Sequence, residues 1–433
     1  MSGSLVLGAT HVAKIALRLL SSVILTRLLY PEAFGYMAIV MSAVTIISLS
    51  TDIGIKPFMI RYPHQLSQSM ENVIWTLKLL RGFILYGFMI AISGVFADFY
   101  GDPKIENLLK IVATSSLLAA MSPLSLYWAE KDKRFSFVAG AEFVAFVAQT
   151  VSVLVITAIF KSYWCLAFGA VVNAFTLFVI SSHISGYKYP KLSLNWDHIK
   201  EIWGFIKWIT FGSLIFVVVM QADRFVIGKV FNAQMLGFYA IALTIAEALS
   251  TMAQNIGTRI GFPTWAEARK QGVVKRSFSE FSRVFIPIAG MASGALLFLS
   301  GHIVDLLYDE RYAIAGSLLS ILCLRTVLVS LLTTSVDLLV VDGRPRAMFT
   351  ANVIRLIWVV SMVSFVAGTD NVRVYAYIFA AMDVPAVLFY ALVAKGYRGL
   401  FLSNIGYAAA GFVVGALLGI LGSYVVSFLK TVF

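Results

Sequence analysis

The stretch HVAKIALRLLSSVILTRLLYPEAFGYMAI, residues 11–39, contains the feature that decides the fold. Its first part is long and apolar enough to cross a bilayer, because roughly 20 apolar residues at about 1.5 Å each match a hydrocarbon layer of about 30 Å. Yet Lys14 and Arg18 lie near the middle of this apolar part. Positions i and i+4 share one helix face, and Ser21 and Ser22 fall on or beside the same stripe. We therefore expect this face to line a polar cavity and the opposite face to contact lipid.

The composition is typical of a polytopic membrane protein. The 433 residues are 60% hydrophobic and 13% charged, whereas ordinary soluble domains are about 45–50% apolar. The net charge of +12 would suggest nucleic acid in a soluble protein. Here many cations fall in short loops between apolar segments, so orientation in a membrane explains them and no nucleic-acid partner is expected. Cys165 and Cys323 form no CxxC pair, so neither a disulfide framework nor a metal site is expected.

Thirteen apolar segments follow one another along the chain. They are residues 5–28, 34–56, 75–97, 107–128, 136–159, 164–185, 204–228, 235–257, 284–307, 313–341, 347–368, 373–394 and 405–428. Loops after the even-numbered segments carry Lys and Arg, and the loops between them are short and neutral or acidic. By the positive-inside rule the basic loops are cytoplasmic. We therefore expect a cytoplasmic N-terminus and, with thirteen spans, an external C-terminus.

An internal similarity relates two parts of the chain at an offset of 202 residues. FGYMAI at 34–39 corresponds to LGFYAI at 236–241. Six spans, an even number, separate the copies, so both cross the membrane in the same direction; chance similarity between apolar sequences is the alternative. We expect an all-α protein with two six-helix lobes related by a pseudo-two-fold axis along the membrane normal. The expected parts are an N-lobe at 1–186, a cytoplasmic linker at 187–203, a C-lobe at 204–396 and one extra C-terminal helix in 397–433.

These residues also resemble a known family. LTRLLYPEAFGYMAIV at 25–40, TDIGI at 51–55 and QADRFVIGKVFNAQMLGFYAIA at 221–242 are similar to polysaccharide (O-antigen and exopolysaccharide) flippases of the multidrug/oligosaccharidyl-lipid/polysaccharide exporter superfamily. LLYDERYAIAGSLLSIL at 306–322 and VVDGRPR at 340–346 look similar to a later region of that family. One departure is the thirteenth segment, since many members stop at twelve spans and related lipid II flippases have fourteen.

The resemblance implies a cavity that opens alternately to each side of the bacterial plasma (inner) membrane. It implies transport of undecaprenyl-diphosphate-linked oligosaccharide from the cytoplasmic to the outer leaflet. The partners would be this lipid-linked sugar, the surrounding membrane lipid and, as a candidate, the polysaccharide polymerase or export machinery.

Cations within the spans are the candidates for binding the diphosphate. Each mid-membrane Lys or Arg that faced lipid would cost about 2.5–3.5 kcal/mol. In a wet cavity, by contrast, Arg offers a planar fork of donors to phosphate oxygens. An ion pair with a nearby Asp that only locks helices together is the alternative for Arg325 and Arg355. The expected substrate-binding residues are Lys14, Arg18, Arg81, Arg325 and Arg355.

Acids within the spans are the candidates for ion coupling. Glu247 lies in the middle of segment 8, Asp383 lies in the middle of segment 12 beside Pro385, and Glu142 lies in segment 5. Intramembrane carboxylates commonly mark proton or sodium paths, although a neighbouring Arg can simply neutralise them. We therefore expect H⁺ or Na⁺ as a transported ion, with no resident cofactor or metal.

Several residues have expected structural roles. Asp223 and Arg224 match an acid–base pair of the family, which we expect to anchor helices rather than bind ligand. Glycines at turns permit close backbone approach. The residues with expected structural roles are Arg27, Gly35, Asp52, Asp223, Arg224 and Gly237. The four-residue spacing of Gly411, Gly415 and Gly419 predicts a helix-packing stripe, which would contact either a partner helix or the adjacent lobe.

Enzyme motifs are absent from the sequence, which contains no HExxH, P-loop or GxSxG pattern. We therefore expect a transporter and not an enzyme. A membrane polymerase or ligase acting on lipid-linked sugars is one alternative, but every predicted outer loop is short. A drug or cation exporter of the same superfamily is another, but the mid-span cations argue against it. A partner subunit without transport activity is the third.

Overall fold

The structure is a computed structural model that describes residues 2–51, 54–62, 66–184, 189–344 and 346–432. Within these ranges every regular element is a helix, and the chain divides into two units, Met1–Gln234 and Met235–Phe433. The helices of the N-terminal unit are α1 (Ser2–Leu28), α2 (Pro31–Ser50), α3 (Ile55–Arg61), α4 (Gln68–Tyr100), α5 (Lys104–Met121), α6 (Ser125–Lys131), α7 (Phe135–Phe160), α8 (Trp164–Ser182) and α9 (Trp196–Val230). Those that follow are α10 (Ala233–Ile256), α11 (Phe262–Lys270), α12 (Val274–Leu307), α13 (Ala313–Leu322), α14 (Leu324–Val341), α15 (Arg346–Phe365), α16 (Val372–Ala380), α17 (Val384–Val393) and α18 (Arg398–Val432).

Each of the thirteen predicted apolar segments overlaps one or two helices among the described residues. Among the described residues, eleven helices are long and apolar enough to cross a membrane, or twelve when the bent pair α5 and α6 counts as one span. Helix α9 contains the seventh segment but is not among the eleven, because the side chains of residues 203–214 lie outside the described part of the chain. The prediction of an all-α, multi-pass membrane protein is confirmed.

The boundary between the two units differs from the predicted start of the C-lobe at residue 204. Helix α9 packs against α2 and α4 and therefore belongs to the N-terminal unit. At its end, the Lys229 ammonium donates to the carbonyl of Phe99 and lies 4.4 Å from the centroid of that ring. The predicted linker, residues 187–203, is also partly helical, because α9 begins at Trp196. The Asn195 side chain caps this helix by accepting hydrogen bonds from the backbone N–H groups of Asp197 and His198.

Some of the predicted single helices are interrupted. Segment 4 bends by 60° between α5 and α6. The break falls at Ser122, whose ψ of 135° is extended, as expected for a residue that precedes a proline. Segment 12 breaks between α16 and α17, with Asp383 at the break and Pro385 in the first turn of α17. The helix is therefore interrupted beside Pro385.

The glycine stripe of α18 packs on α12 of its own unit. Gly411, Gly415 and Gly419 face the backbone of Pro287, Met291 and Ala295 in that order. Because both sets of numbers rise together, the two helices run parallel. A Cβ atom added at Gly415 would lie 2.1 Å from the Met291 carbonyl oxygen, so only glycine allows this approach. The contact favours packing on the adjacent lobe over a partner helix.

Candidate functional site

The N-terminal unit contains a cavity of about 450 Å³ among its helices. Helices α2 to α8 each contribute at least one lining side chain. A second cavity, of about 310 Å³, adjoins the first because both are lined by Met41, Gln149 and Ala170. Arg18 and Ser21 of α1 line this second cavity, so two residues of the predicted polar stripe face it. We refer to the two voids together as the N-terminal cavity.

Lys14 and Glu142, which the sequence assigned to substrate binding and to ion coupling, form one ion pair. The Nζ atom of Lys14 lies 2.9 Å from Oε2 of Glu142, and Glu142 lines the larger void. Helices α1 and α7 pack together and bring the two residues into contact. Arg18 lies one turn further along α1, and no described carboxylate forms an ion pair with it. Lys14 is therefore paired with an acid of the cavity wall, whereas Arg18 lines the cavity without a carboxylate partner among the described residues.

Two lysines that the sequence analysis did not predict as site residues line the larger void. Lys56 of α3 pairs with Glu130 of α6 at 2.8 Å. Lys78 of α4 is buried and donates to the Ser122 carbonyl at 2.6 Å, with no described carboxylate paired to it. Lys78 had one available signal, since it lies inside an apolar segment. Lys56 and Glu130 had none, because charges in cytoplasmic loops are normally solvated.

Arg81 is engaged with the end of α2. Its Nε atom donates to the Thr51 carbonyl at 2.7 Å, and Nη2 donates to the Ser48 carbonyl. The last carbonyls of a helix have no partner within the helix, so a cation placed there satisfies them and interacts favourably with the helix dipole. This geometry supports a structural role for Arg81 beside the predicted role in substrate binding.

Buried charges also meet in the C-terminal unit. The Nε atom of Arg355 lies 2.7 Å from Oδ1 of Asp383, and the two residues are 6% and 0% exposed. Arg355 also donates to the Asn352 side chain at 3.3 Å. Arg325, 8% exposed, is close enough for its positive charge to act on Arg355. Glu247, the remaining ion-coupling candidate, is half-buried in α10.

The residues with predicted structural roles differ in their surroundings. Asp223 is buried, accepts from the backbone N–H of Arg224 at 2.8 Å and lies 3.7 Å from that guanidinium. A Cβ atom at Gly35 would lie 1.8 Å from the Ala233 carbonyl oxygen, so this glycine permits a close backbone approach. Gly237 is buried in α10, and Arg27 is exposed in the last turn of α1. Asp52 lies outside the described residues.

No group of three or more His, Cys, Asp or Glu residues that could hold a metal ion occurs in the described part of the chain. The charged groups of the N-terminal cavity are lysines, an arginine and two paired glutamates. Such a set can bind an anion through charge-assisted hydrogen bonds.

Comparison with known proteins places the chain among membrane proteins of polysaccharide synthesis. Residues 24–317 match the family described as polysaccharide biosynthesis protein. The chain is 21% identical over 351 residues to the teichuronic acid biosynthesis protein TuaB of Bacillus subtilis, a match that covers 77% of this chain and 69% of TuaB. It is 20% identical over 347 residues to the lipopolysaccharide biosynthesis protein WzxC of Escherichia coli, covering 79% and 70% of the two chains.

The fold is also found in a solved structure. The lipid II flippase MurJ, in an inward closed conformation, matches with a TM-score of 0.77 at 12% sequence identity, and the match covers 98% of both chains. At this identity the likeness shows the fold alone. The family match covers more than half of the sequence, including the whole of the motifs at 25–40 and 221–242 from which the resemblance was inferred. The predicted resemblance is therefore confirmed, and the chain belongs to the polysaccharide biosynthesis protein family.

Proposed function

We propose that the chain is a flippase, and not an enzyme, that moves undecaprenyl-diphosphate-linked oligosaccharide units from the cytoplasmic to the outer leaflet by alternating access. The observation that carries this proposal is the N-terminal cavity, which is lined by Arg18, Lys56 and Lys78 among apolar helices of membrane-spanning length. The names of TuaB, WzxC and MurJ, which refer to cell-surface polymers and lipid flipping, support the same function.

Charge balance favours an anionic ligand for this cavity. Its charged lining residues are the three cations Arg18, Lys56 and Lys78 and the two acids Glu130 and Glu142, and a fourth cation, Lys14, contacts the lining through Glu142. Each acid pairs with one lysine, so the net charge is 4 − 2 = +2. Cations at membrane depth are costly unless water or an anion solvates them. A diphosphate supplies opposite charge and acceptor oxygens for both lysine and arginine donors.

The proposal keeps Arg325 and Arg355 as further ligands of the diphosphate. Arg355 pairs with Asp383, and the charge of Arg325 acts on Arg355. Since Asp383 already holds the guanidinium of Arg355, an incoming H⁺ or Na⁺ would have to compete with that arginine. Asp383 and Glu247 are both kept as carboxylates proposed to couple transport to an ion.

The proposed location is the bacterial plasma membrane with the N-terminus in the cytoplasm. The orientation is supported by the distribution of Lys and Arg among the loops. In this orientation α3 and α6 lie at the cytoplasmic end of the N-terminal unit, where substrate would enter. A polysaccharide polymerase that receives the flipped unit is the proposed partner on the outer side.

A drug or cation exporter is the second candidate, because members of the same superfamily carry such substrates. A cationic drug would need unpaired carboxylates in the cavity. Both glutamates of the N-terminal cavity are paired with lysine, which favours the anionic substrate.

The proposal is tested by export of surface polysaccharide in the host bacterium. The variant Arg18→Gln/Arg325→Gln should remain in the membrane at normal amounts and abolish export. Arg283→Gln is the matched control, because Arg283 is exposed and contacts Tyr407. Normal export by the double variant would overturn the proposal. Unchanged polysaccharide together with increased sensitivity to cationic dyes would favour the drug exporter.

A further inference from the structure

The break between α5 and α6 lies on the wall of the N-terminal cavity. Helix α5 ends at Met121, α6 begins at Ser125, and the two helix axes differ by 60°. Pro123 has no N–H group and cannot continue the helix. Ser122 and Pro123 both line the larger void. The bend in this span therefore faces the cavity that is proposed to hold the substrate.

The carbonyls freed by the break take side-chain donors from elsewhere in the unit. The Ser122 carbonyl accepts from Lys78 Nζ at 2.6 Å, and the Met121 carbonyl accepts from the Tyr189 hydroxyl at 3.0 Å. Burial raises the pKa of Tyr189, so this hydroxyl stays protonated and can donate at neutral pH. Backbone carbonyls at membrane depth need such partners. Lys78 thus supplies the missing hydrogen bond at the break from the cavity side.

Helix α6 is also held at its far end by a lysine of the cavity. Glu130 pairs with Lys56 at 2.8 Å, and the Tyr127 ring lies 5.5 Å from Lys78 Nζ. These four residues line the larger void. Two further contacts are made by residues that do not line it. Ser125 donates to the Ser181 carbonyl of α8, and Lys131 donates to the Tyr62 carbonyl at 3.1 Å.

A diphosphate in the cavity would compete for both lysines. A lysine bonds a phosphate oxygen more strongly than a neutral carbonyl, because both partners of the hydrogen bond are then charged. Taking Lys78 from Ser122 leaves a carbonyl without its donor, and taking Lys56 leaves Glu130 without its cation. Helix α6 has only seven residues, and a helix this short is not stable in water without tertiary contacts.

We propose that the α5–α6 break is a ligand-operated hinge, in which Lys56 and Lys78 are shared between α6 and the anionic headgroup, so that headgroup binding releases α6. This inference rests on the proposed function, since it requires an anionic ligand. Lys56 and Lys78 then have two roles. They bind the headgroup, and by leaving their partners on the α5–α6 segment they release α6 at the cytoplasmic end of the unit.

The test is hydrogen–deuterium exchange of the full-length purified protein, with farnesyl diphosphate as the probe and farnesol as the uncharged control. Farnesyl diphosphate should accelerate exchange of the backbone amides of residues 125–131 several-fold, and farnesol should not. Acceleration is diagnostic, because ligand binding normally slows exchange. In Lys78→Gln and in Glu130→Gln these amides should exchange fast without ligand and respond little to the probe. Lys131→Gln, whose side chain does not line the cavity, should keep the response.

Calorimetry on the same preparation distinguishes a failure of the proposed hinge from a failure of the proposed function. If farnesyl diphosphate binds and exchange of α6 stays constant or slows, the hinge is overturned and the proposed function stands. If farnesyl diphosphate does not bind, the anionic site is overturned and the hinge with it. If Lys78→Gln fails to fold, Glu130→Gln still tests the hinge, because Glu130 is partly exposed and its substitution leaves the buried lysine in place.

Discussion

Lys14 of α1 and Glu142 of α7 form an ion pair of 2.9 Å, although 128 residues separate them in the chain. Their side chains are 26% and 54% exposed, and ion pairs this open contribute little to stability, typically about 0–1 kcal/mol. The pair therefore matters for the charge pattern of the cavity more than for holding the two helices together.

Exchanging these two charges separates the two roles. In Lys14→Glu/Glu142→Lys the pair is kept, but the carboxylate now lies one turn from Arg18. We expect normal amounts of protein in the membrane and export reduced about tenfold or more. One misplaced charge costs about 1–4 kcal/mol at 4 Å, and about 1.4 kcal/mol corresponds to tenfold. Quantitative comparison of surface polysaccharide with membrane protein checks this, and full export would show that the pair only joins helices.

The pair between Arg355 and Asp383 should behave differently, because both residues are buried. Removing one partner leaves an uncompensated charge, so Arg355→Met should lower the free energy of unfolding by about 3–5 kcal/mol. The double variant Arg355→Met/Asp383→Leu should recover most of this loss. Thermal unfolding in detergent measures both. A double variant as unstable as the single one would argue against a direct interaction between the two charges.

The contact between α12 and α18 depends on glycine. Gly415→Ala places a Cβ atom 2.1 Å from the Met291 carbonyl oxygen, so the helices must separate at a cost of about 1–3 kcal/mol. Gly406→Ala on the same helix is the matched control, because a Cβ atom there has no neighbour within 4 Å. We expect a lower unfolding temperature for Gly415→Ala alone. Equal unfolding temperatures would contradict this packing.

Arg81→Gln distinguishes capping from substrate binding. The variant loses charged hydrogen bonds to the Ser48 and Thr51 carbonyls at the end of α2, and one such bond is worth about 1.5–3 kcal/mol. We expect a lower unfolding temperature and less protein, with unchanged export per molecule. Export that fails while the unfolding temperature is unchanged would instead support the role in substrate binding that the sequence predicted.

Much of the fold could be predicted from the sequence, because a bilayer requires long apolar helices whatever their packing. All thirteen predicted segments overlap helices in the described part of the chain, and α2 and α10 begin 233 − 31 = 202 residues apart, the offset of the internal similarity. The place of α9 was not predictable. The side to which it packs is decided by contacts such as that of Lys229 with Phe99, and apolar periodicity carries no such information.

The candidate site could be predicted only in part. Arg18 was recognisable, because an arginine within an apolar span needs a polar surrounding, and the structure places it at a cavity. The partners of the charges were not recognisable, since Glu142 and Asp383 reach Lys14 and Arg355 through tertiary packing. The sequence indicates only a loop cation at Lys56, because its place on the cavity wall depends on the packing of α3 against α6.

The central claim is that the cations of the N-terminal cavity carry an anionic headgroup across the membrane. The most direct measurement is flipping of a fluorescent polyprenyl-diphosphate-linked sugar by purified protein in liposomes. The wild-type protein and Arg283→Gln should translocate the lipid, and Arg18→Gln/Lys78→Gln should not, although it inserts normally. Translocation at the wild-type rate by Arg18→Gln/Lys78→Gln would contradict the account.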